Sequence, residues 1–479
     1  MSGMASAPPA RDHRLDDLRS RVGDALRIDP VELDRLSRDA SRVERAGRPF
    51  GAVVARDARD VAAALSWATR HGVPVSVRGA GTGFAGGAVA YDGGIVVSLE
   101  RLTRILGVDE GNRLIDVEAG VVTAGVDRAA AAHGLMYAPD PASLEQSTIG
   151  GNIATNAGGL RCLKYGVTLE SVAALEVVLP TGEIVELGSR TRKNAVGLSL
   201  AQLMVGSEGV LGVVTRATLR LHPRPEGEPV TFRASFSALE TAGIAVEAVS
   251  SAPVVPEILE LMDRATVAAV RRRFPESVEI GECAALLVGR IVGPTAQQDA
   301  RRLEGVLRRA GADEVAFATG DGLLDARRLS SRALTAEGLR VSSDVAVPVS
   351  RLAEMFARIE RIEAETGVRI PTFAHAGDGN LHPSVIVGRG DRERDDGIRD
   401  DATRDAEDAA EERARAEHVL ELVTRAALEL GGTASGEHGV GSLKLHALEQ
   451  QLSPEVRALQ ERVKRAFDPA GILSPGRAI

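Results

Sequence analysis

Two glycine-dense tracts constrain this chain more than any other feature. The first, Arg78-Gly-Ala-Gly-Thr-Gly-Phe-Ala-Gly-Gly87, follows a short apolar run, Val73-Pro-Val-Ser-Val77, and the second is Thr148-Ile-Gly-Gly-Asn-Ile-Ala-Thr-Asn-Ala-Gly-Gly159. Without a Cβ in the way, successive N–H groups can approach a polyanion closely, and φ > 0 turns aim several of them at once. Tight turns alone account for one such loop. A large phosphate-bearing cofactor accounts for two. Gly81-Thr-Gly-Phe-Ala-Gly86 fits G-x-G-x-x-G, but the dinucleotide fingerprint needs a helix opening at its third glycine. Here Ala88 to Gly94 is turn-rich and Ile95-Val-Val-Ser-Leu99 reads as another strand, so a nicotinamide-type Rossmann loop fails on context. Neither tract closes with Gly-Lys-Ser/Thr, which removes a Walker loop.

At 479 residues the chain is too long for one simple core, and two domains are expected. A net charge of −9 and a single tryptophan, Trp67, argue against nucleic acid, which asks for a basic face and stacking aromatics. No apolar stretch approaches the roughly 18 residues that span a bilayer, and Met1 to Arg14 lacks a signal-peptide core. Cys162 and Cys283 stand far apart, with no C-x-x-C spacing for a disulfide or zinc-cysteine site. A cytoplasmic protein is expected, with peripheral attachment to the inner membrane face left open.

Residues 1–45 are charged and helical in pattern, with leucines at 15, 18, 26, 33 and 36, and are expected to cap the cofactor domain. That domain is placed at 46–224: Ala52-Val-Val, a helix around Asp57 to His71, the strand Val73 to Val77, then short strands and turns to Pro223-Arg-Pro225. In 225–479, strands such as Ala284 to Val288 alternate with helices such as Ala296 to Ala310, which suggests an α+β substrate domain. Gly390 to Arg415 is almost wholly charged and small, and reads as a loop running into an exposed helix.

His375 and His382 flank Ala-Gly-Asp-Gly-Asn-Leu between two apolar runs, a hairpin pattern expected to set the two histidines opposite each other. Paired imidazoles begin many zinc or manganese sites, and Glu437, in the turn Gly436-Glu-His-Gly439, is the carboxylate that would complete one. Spacing alone leaves a purely structural pair open. His438 offers an imidazole that could act as a general base, or serves as a hydrogen-bonded turn histidine. Arg327 and Arg328, on a helix, are either solvated surface or a carboxylate fork.

The first tract, Pro139-Asp-Pro-Ala-Ser143, the Gly150 to Gly159 run and Gly206-Ser-Glu-Gly-Val-Leu-Gly-Val-Val-Thr215 together resemble the FAD domain of the vanillyl-alcohol-oxidase-like flavoproteins. Within them the chain resembles the D-lactate dehydrogenase and glycolate oxidase large-subunit group, through His375 to His382, Ser435-Gly-Glu-His-Gly-Val-Gly441 and Phe467 to Gly476. The resemblance runs from about Arg48 to the C-terminus. It implies an α+β protein: a two-subdomain PCMH-type FAD-binding domain, then a substrate domain with an antiparallel sheet. It assigns reversibly bound FAD to Arg78, Gly79, Ala80, Gly81, Thr82, Gly83, Gly86 and Gly87, to Pro139 and Asp140, and to Ser147, Thr148, Gly150, Gly151, Asn152, Ala154, Asn156 and Gly158. Glu208, Gly209, Val213 and Asn380 complete that set.

The same resemblance implies a divalent metal, zinc or manganese, on His375, His382 and Glu437, with His438 as base and Arg327 as partner of the substrate carboxylate. The implied reaction is FAD-dependent oxidation of a small D-2-hydroxy acid, D-lactate or glycolate, with hydride passing to flavin N5. Electrons would then go to a quinone, cytochrome or electron-transfer flavoprotein. A homodimer is left open. Relatives acting on dicarboxylates carry a lysine just before the strand Asp344-Val-Ala-Val-Pro348, where this chain has Ser342-Ser343, so a monocarboxylate is expected. A tryptophan common before Arg327 is absent, Thr155 replaces an acidic residue, and Ser474 an asparagine. The rival readings are a D-2-hydroxyglutarate dehydrogenase, a non-redox flavin-dependent alkyl transferase and a metal-dependent hydrolase.

Overall fold

Local signals build the first sheet. Gly51–Val54 is buried along its length, and Asp57 caps the helix Ala58–His71 by accepting from the N–H groups of Arg59 and Asp60. Gly72, at φ 60, ends that helix in the left-handed region, and Val61, Ala64, Leu65 and Ala68 form its buried stripe. The chain returns as Val75–Arg78, crosses the first glycine tract and enters Ile95–Ser98, which pairs in parallel with both earlier strands. No helix follows the tract, as its context required. The structure, a computed structural model, describes residues 13–41, 43, 46–276, 280–388 and 402–479.

The N-terminal segment is not wholly helical. Between the helices His13–Val22 and Pro30–Ser37, Leu26–Arg27 pairs antiparallel with Ala52 and Val53 and becomes the edge of the first sheet. Leu18, Leu26 and Leu36 are buried, which accounts for the leucine pattern. At the opposite edge Leu473 bridges Val75, so the Phe467 to Gly476 motif closes the sheet that the N-terminus opens. Ser474 there adopts φ 43, a left-handed conformation that suits asparagine better than serine.

A second, antiparallel sheet follows, ordered Ile105–Asp109, Leu114–Glu118, Val213–Arg220, Val172–Val178, Ile184–Gly188. The second glycine tract is not a loop throughout: Ile149–Thr155 is a short helix that Asn156 ends at φ 52. Glycine is needed in it for packing, since a Cβ on Gly150 would lie 2.8 Å from that of Ala119.

The remainder is an antiparallel sheet ordered Glu314–Thr319, Val230–Phe236, Ala285–Ile291, Ile258–Asp263, Thr372–His375, Asn380–Val387, Leu339–Ser342, with Val345–Ala346 also on Asn380–Val387. One face packs on Leu239–Ser250, Ala296–Arg309, Leu352–Thr366 and Ala402–Glu429. The other takes Arg264–Arg273 and Asp325–Ala336, with Phe373 beneath them. Of the charged stretch, 389–401 lies outside the described residues; its helical continuation exposes Ala410 to Glu412 and buries Ala416 and Val419.

Candidate functional site

The hairpin places its two histidines differently from the expectation. His375 pairs with Asn380 and His382 with Phe373, so the imidazoles are diagonal neighbours on one face rather than cross-strand partners. Their ring centroids are 5.0 Å apart and nearly perpendicular. Glu437 reaches the same point from another direction: His375 Nε2 lies 3.5 Å and His382 Nε2 3.4 Å from its Oε1. One ligand atom from each of the three falls within 4.8 Å of the others, the geometry of a facial metal-binding set.

Asp344, fully buried, holds the turn that presents Glu437. Its Oδ2 accepts from the N–H groups of Gly436 at 2.7 Å, Glu437 at 2.7 Å and His438 at 3.1 Å. Lys444 donates to the same carboxylate and to Ala434 O at 3.0 Å, and His438 Nδ1 stands 3.4 Å from Asp344 Oδ1. The turn closes against the hairpin at Gly436, where a Cβ would fall 2.3 Å from Asn380 Oδ1. A second carboxylate, Glu260, bridges two functional side chains: Oε1 is 2.8 Å from His375 Nδ1 and Oε2 accepts from Arg327 Nε at 2.7 Å. With Nδ1 turned to Glu260, the Nε2 of His375 faces the cluster.

Charge follows from this packing. Burial pushes the Glu437 carboxyl up, but the three imidazoles around it prevail and hold it at about 2. Burial works against a charged His375, yet Glu260 and Glu437 outweigh it and raise its pKa well above the ordinary value. Burial and the neighbouring His375 push His382 the other way, well below it. The cluster thus pairs an anionic carboxylate with one protonated and one neutral imidazole, and a divalent cation would take the place of the His375 proton.

These groups open on a cavity of about 1350 Å³, lined by Pro139, Asp140, Arg327, Arg328, Arg340, Phe373, His375, His382, Glu437, His438 and Phe84. Arg327 is the arginine tied to the cluster, while Arg328 pairs with Asp321 at 2.6 Å. Phe84, from the first glycine tract, packs its ring 5.2 Å from that of His438. The two tracts touch: a Cβ on Gly79 would fall 2.4 Å from Thr148 Oγ1, a buried hydroxyl without a protein partner. The Asn380 side-chain oxygen is likewise buried without one. Bare backbone N–H groups beside a buried hydroxyl free to donate, that of Thr148, form the surface a phosphate-bearing cofactor fits.

Other residues of the expected cofactor set organise the fold around that surface. Arg78 folds back on its own loop, donating to Arg38 O and to Ala80 O, under Gly81. Ser147 and Asn152 share Thr123 Oγ1 at 3.1 and 2.7 Å, and Val213 is buried in its strand. Asp140 is held by Arg161, whose N–H donates to it at 2.9 Å, and burial pushes its carboxyl up to about 7. Glu208 accepts from Val440 N at 2.8 Å and Gly441 N at 2.7 Å, fastening the loop after His438 to the cofactor half. Gly158 approaches Glu437 itself, its Cβ position being 2.9 Å from Oε2.

With that geometry, the comparisons define the class. Residues 49–188 match the FAD binding domain family, and 228–478 match the C-terminal domain family of FAD linked oxidases. The chain belongs to the FAD-linked oxidases and is an FAD-linked oxidoreductase. It is 36% identical over 90% of its length to a protein named glycolate oxidase subunit GlcD from Bacillus subtilis (strain 168), covering 88% of that relative. It is 37% identical over 91% of its length to one named D-lactate dehydrogenase from Archaeoglobus fulgidus, covering 92% of it. Among solved structures, substrate-bound p-cresol methylhydroxylase shares the fold at TM-score 0.77 and 17% identity, over 97% of this chain and 96% of that one. The PCMH-type fold is therefore established. No helix among the described residues is long and apolar enough to cross a membrane.

Sequence reasoning missed Glu260, Asp344 and Lys444. For Glu260 a signal existed, because Ile258-Leu-Glu-Leu-Met262 places an acid inside an apolar strand, where a buried carboxylate needs a partner. Nothing local marks Asp344 or Lys444, whose pairing exists only once the turn has formed.

Proposed function

We propose that this flavoprotein oxidises D-2-hydroxy acids to 2-oxo acids, with D-lactate and glycolate as the minimal substrates. The observation that carries the reading is the convergence of His375, His382 and Glu437 within 4.8 Å, beside His438 and Arg327 on one cavity. The names of the relatives support it. FAD supplies the hydride acceptor when bound, held by the paired glycine tracts. A zinc or manganese ion on His375, His382 and Glu437 would bind the substrate hydroxyl and acidify it.

The protein's own groups do the rest. Arg327, anchored by Glu260, offers the remaining face of its fork to the substrate carboxylate. That fixes C2 beneath the cluster. His438, its Nδ1 side toward Asp344, takes the hydroxyl proton on Nε2, which stands 3.9 Å from Glu437. Phe84 packs its ring on His438 and Phe373 on His382, which limits how far either imidazole can turn. A quinone, a cytochrome or an electron-transfer flavoprotein would take up the two electrons and complete the turnover. The test is anaerobic addition of D-lactate, L-lactate or glycolate to the holoenzyme while watching the visible flavin absorbance. Rapid bleaching by D-lactate or glycolate is expected; a flavin that none of them reduces overturns the reading.

A further inference from the structure

The cofactor half carries a cationic cleft that the chemistry above does not use. Two loops face each other across about 480 Å³: the turn Gly111-Asn112-Arg113, ahead of the strand Leu114–Glu118, and Arg190-Thr191-Arg192, just after the strand Ile184–Gly188. The acids nearby are already taken. Arg190 holds Asp116 at 2.8 Å and Asp109 at 3.4 Å, Asp109 also accepts from Asn112, and Glu110 pairs with His133 at 2.6 Å. Arg113, Arg192 and Lys193 make no ion pair among the described residues. Burial lowers the pKa of His222, and Arg113 and Arg192 lower it further; Arg192 acts in the same way on the half-buried Arg220. These cations therefore converge on one spot. Arg113 is also held at φ 54, a left-handed conformation that glycine or asparagine adopts more readily, and the Leu221 N–H fixes it by donating to Arg113 O at 2.8 Å.

The loop beyond the cleft says what kind of anion it meets. Thr191 to Ser199 are exposed without a break, and Val196 and Leu198 expose 87% and 85% of their surface. Thr191 Oγ1 donates to Lys193 O at 2.8 Å and the Val196 N–H to Asn194 Oδ1 at 3.0 Å, so the loop holds its own shape with both aliphatics in solvent. Single exposed aliphatics are ordinary, but two on one cationic loop mark a surface that is both charged and apolar. A lipid surface has that composition in depth: phosphates above, acyl chains beneath.

We propose that this face docks the protein on a membrane of anionic phospholipid. A headgroup phosphate sits in the cleft between Arg113 and Arg192 with Lys193 beside it, and Val196 and Leu198 enter the acyl boundary. The net charge of −9 makes the contact directional, since the rest of the molecule is repelled by the surface that this face is drawn to. The docking face shares no residue with the lining of the catalytic cavity, so it holds whichever substrate that cavity takes.

The test is flotation of the FAD-loaded protein with vesicles of pure phosphatidylcholine or of equal parts phosphatidylcholine and phosphatidylglycerol. Wild type should float with the anionic vesicles only, and added salt should release it. Arg113→Gln together with Arg192→Gln should weaken partitioning about 30-fold, on the order of 5-fold for each cation. Val196→Ser with Leu198→Ser should weaken it about 10-fold and leave the salt dependence unchanged, because only apolar contact is lost. Both variants should keep the wild-type flavin content, their residues lying outside the cofactor set, which separates lost binding from lost fold. A wild type that does not float, or flotation that both variants retain, overturns the proposal. Release from the vesicles by soluble glycerol phosphate at the headgroup concentration would mean a site for free anions. Retention on immobilised polyglutamate without flotation would mean an acidic protein partner. Either result overturns the membrane assignment.

Discussion

Replacing Asp344 by asparagine tests how the site is held. The carboxylate has no exposure and accepts three backbone N–H groups from the Gly436–His438 turn together with Ser435 and Lys444, and His438 Nδ1 stands 3.4 Å from it. An amide keeps the shape but loses the charge, so the Lys444 ammonium stays in the interior without its anion. Breaking a buried pair in this way costs about 3–5 kcal/mol. The turn is expected to yield, because its conformation depends on those bonds, and Glu437 and His438 move with it. Metal affinity, read by titrating the metallated protein with a chelator, should fall about 10–100-fold, as for other outer-shell partners.

The stability difference between wild type and variant also has a pH signature. Burial raises the Asp344 carboxyl, but His438 and Lys444 outweigh it and hold the pKa below the ordinary value. A depressed folded-state pKa gives stability that is full above the unfolded value near ~3.9 and is lost as pH falls below it. The gap between the denaturation midpoints of the two proteins should therefore be constant at neutral pH and narrow in acid. An Asp344→Asn protein with wild-type chelator resistance and turnover would refute the role given to this residue.

Gly79→Ala drives a Cβ to 2.4 Å from Thr148 Oγ1, so the purified variant should carry far less FAD than wild type, read from the ratio of visible to protein absorbance. Glu437→Gln removes the anionic ligand of the three; metal content should drop to background and kcat by 100-fold or more, on the order of a lost catalytic Lewis acid. Chelation of the wild type should reproduce that loss, and restored zinc or manganese should reverse it. Glu260→Gln loosens His375 and Arg327 together, so KM for a hydroxy acid should rise along with about a 10-fold loss of metal affinity. A rise in KM alone would mean that Glu260 serves the arginine and not the metal.

The sequence disclosed those parts of the site whose chemistry is local. Glycine tracts, the His-x₆-His hairpin and the Gly-framed Glu437-His438 turn are contiguous runs, and each has a physical reason readable in place. The strand Val75–Arg78, the helix Ala58–His71 and the strand Ile95–Ser98 were legible for the same reason. What escaped depends on distant residues meeting. Helix formation in Ile149–Thr155 overrides a glycine-rich composition because Ala119 accepts the close approach of Gly150 and its N–H at 2.7 Å. The diagonal register of His375 and His382 is set where the hairpin turn falls, at Gly379 with φ 81, against Val347.

The loop from Ser435 to Lys444 explains why the two halves of the chain act as one site. From the substrate half Asp344 grips its first residues; from the cofactor half Glu208 grips Val440 and Gly441. The first glycine tract leans on the same loop, since Ser442 N donates to Ala85 O at 2.9 Å and a Cβ on Gly441 would overlap that oxygen. His438 lies between the two grips, with Phe84 of the tract against its ring. Burial raises the Glu208 carboxyl, and the two N–H donors oppose that shift, so this anchor works through hydrogen bonds as well as charge. A displacement of the first glycine tract is thereby transmitted to His438, and one of the Glu437 turn to the tract. Proton removal and hydride departure from one carbon require their two acceptors to keep a fixed separation. A loop clamped from both domains supplies that separation, which a histidine carried by either domain alone would lack.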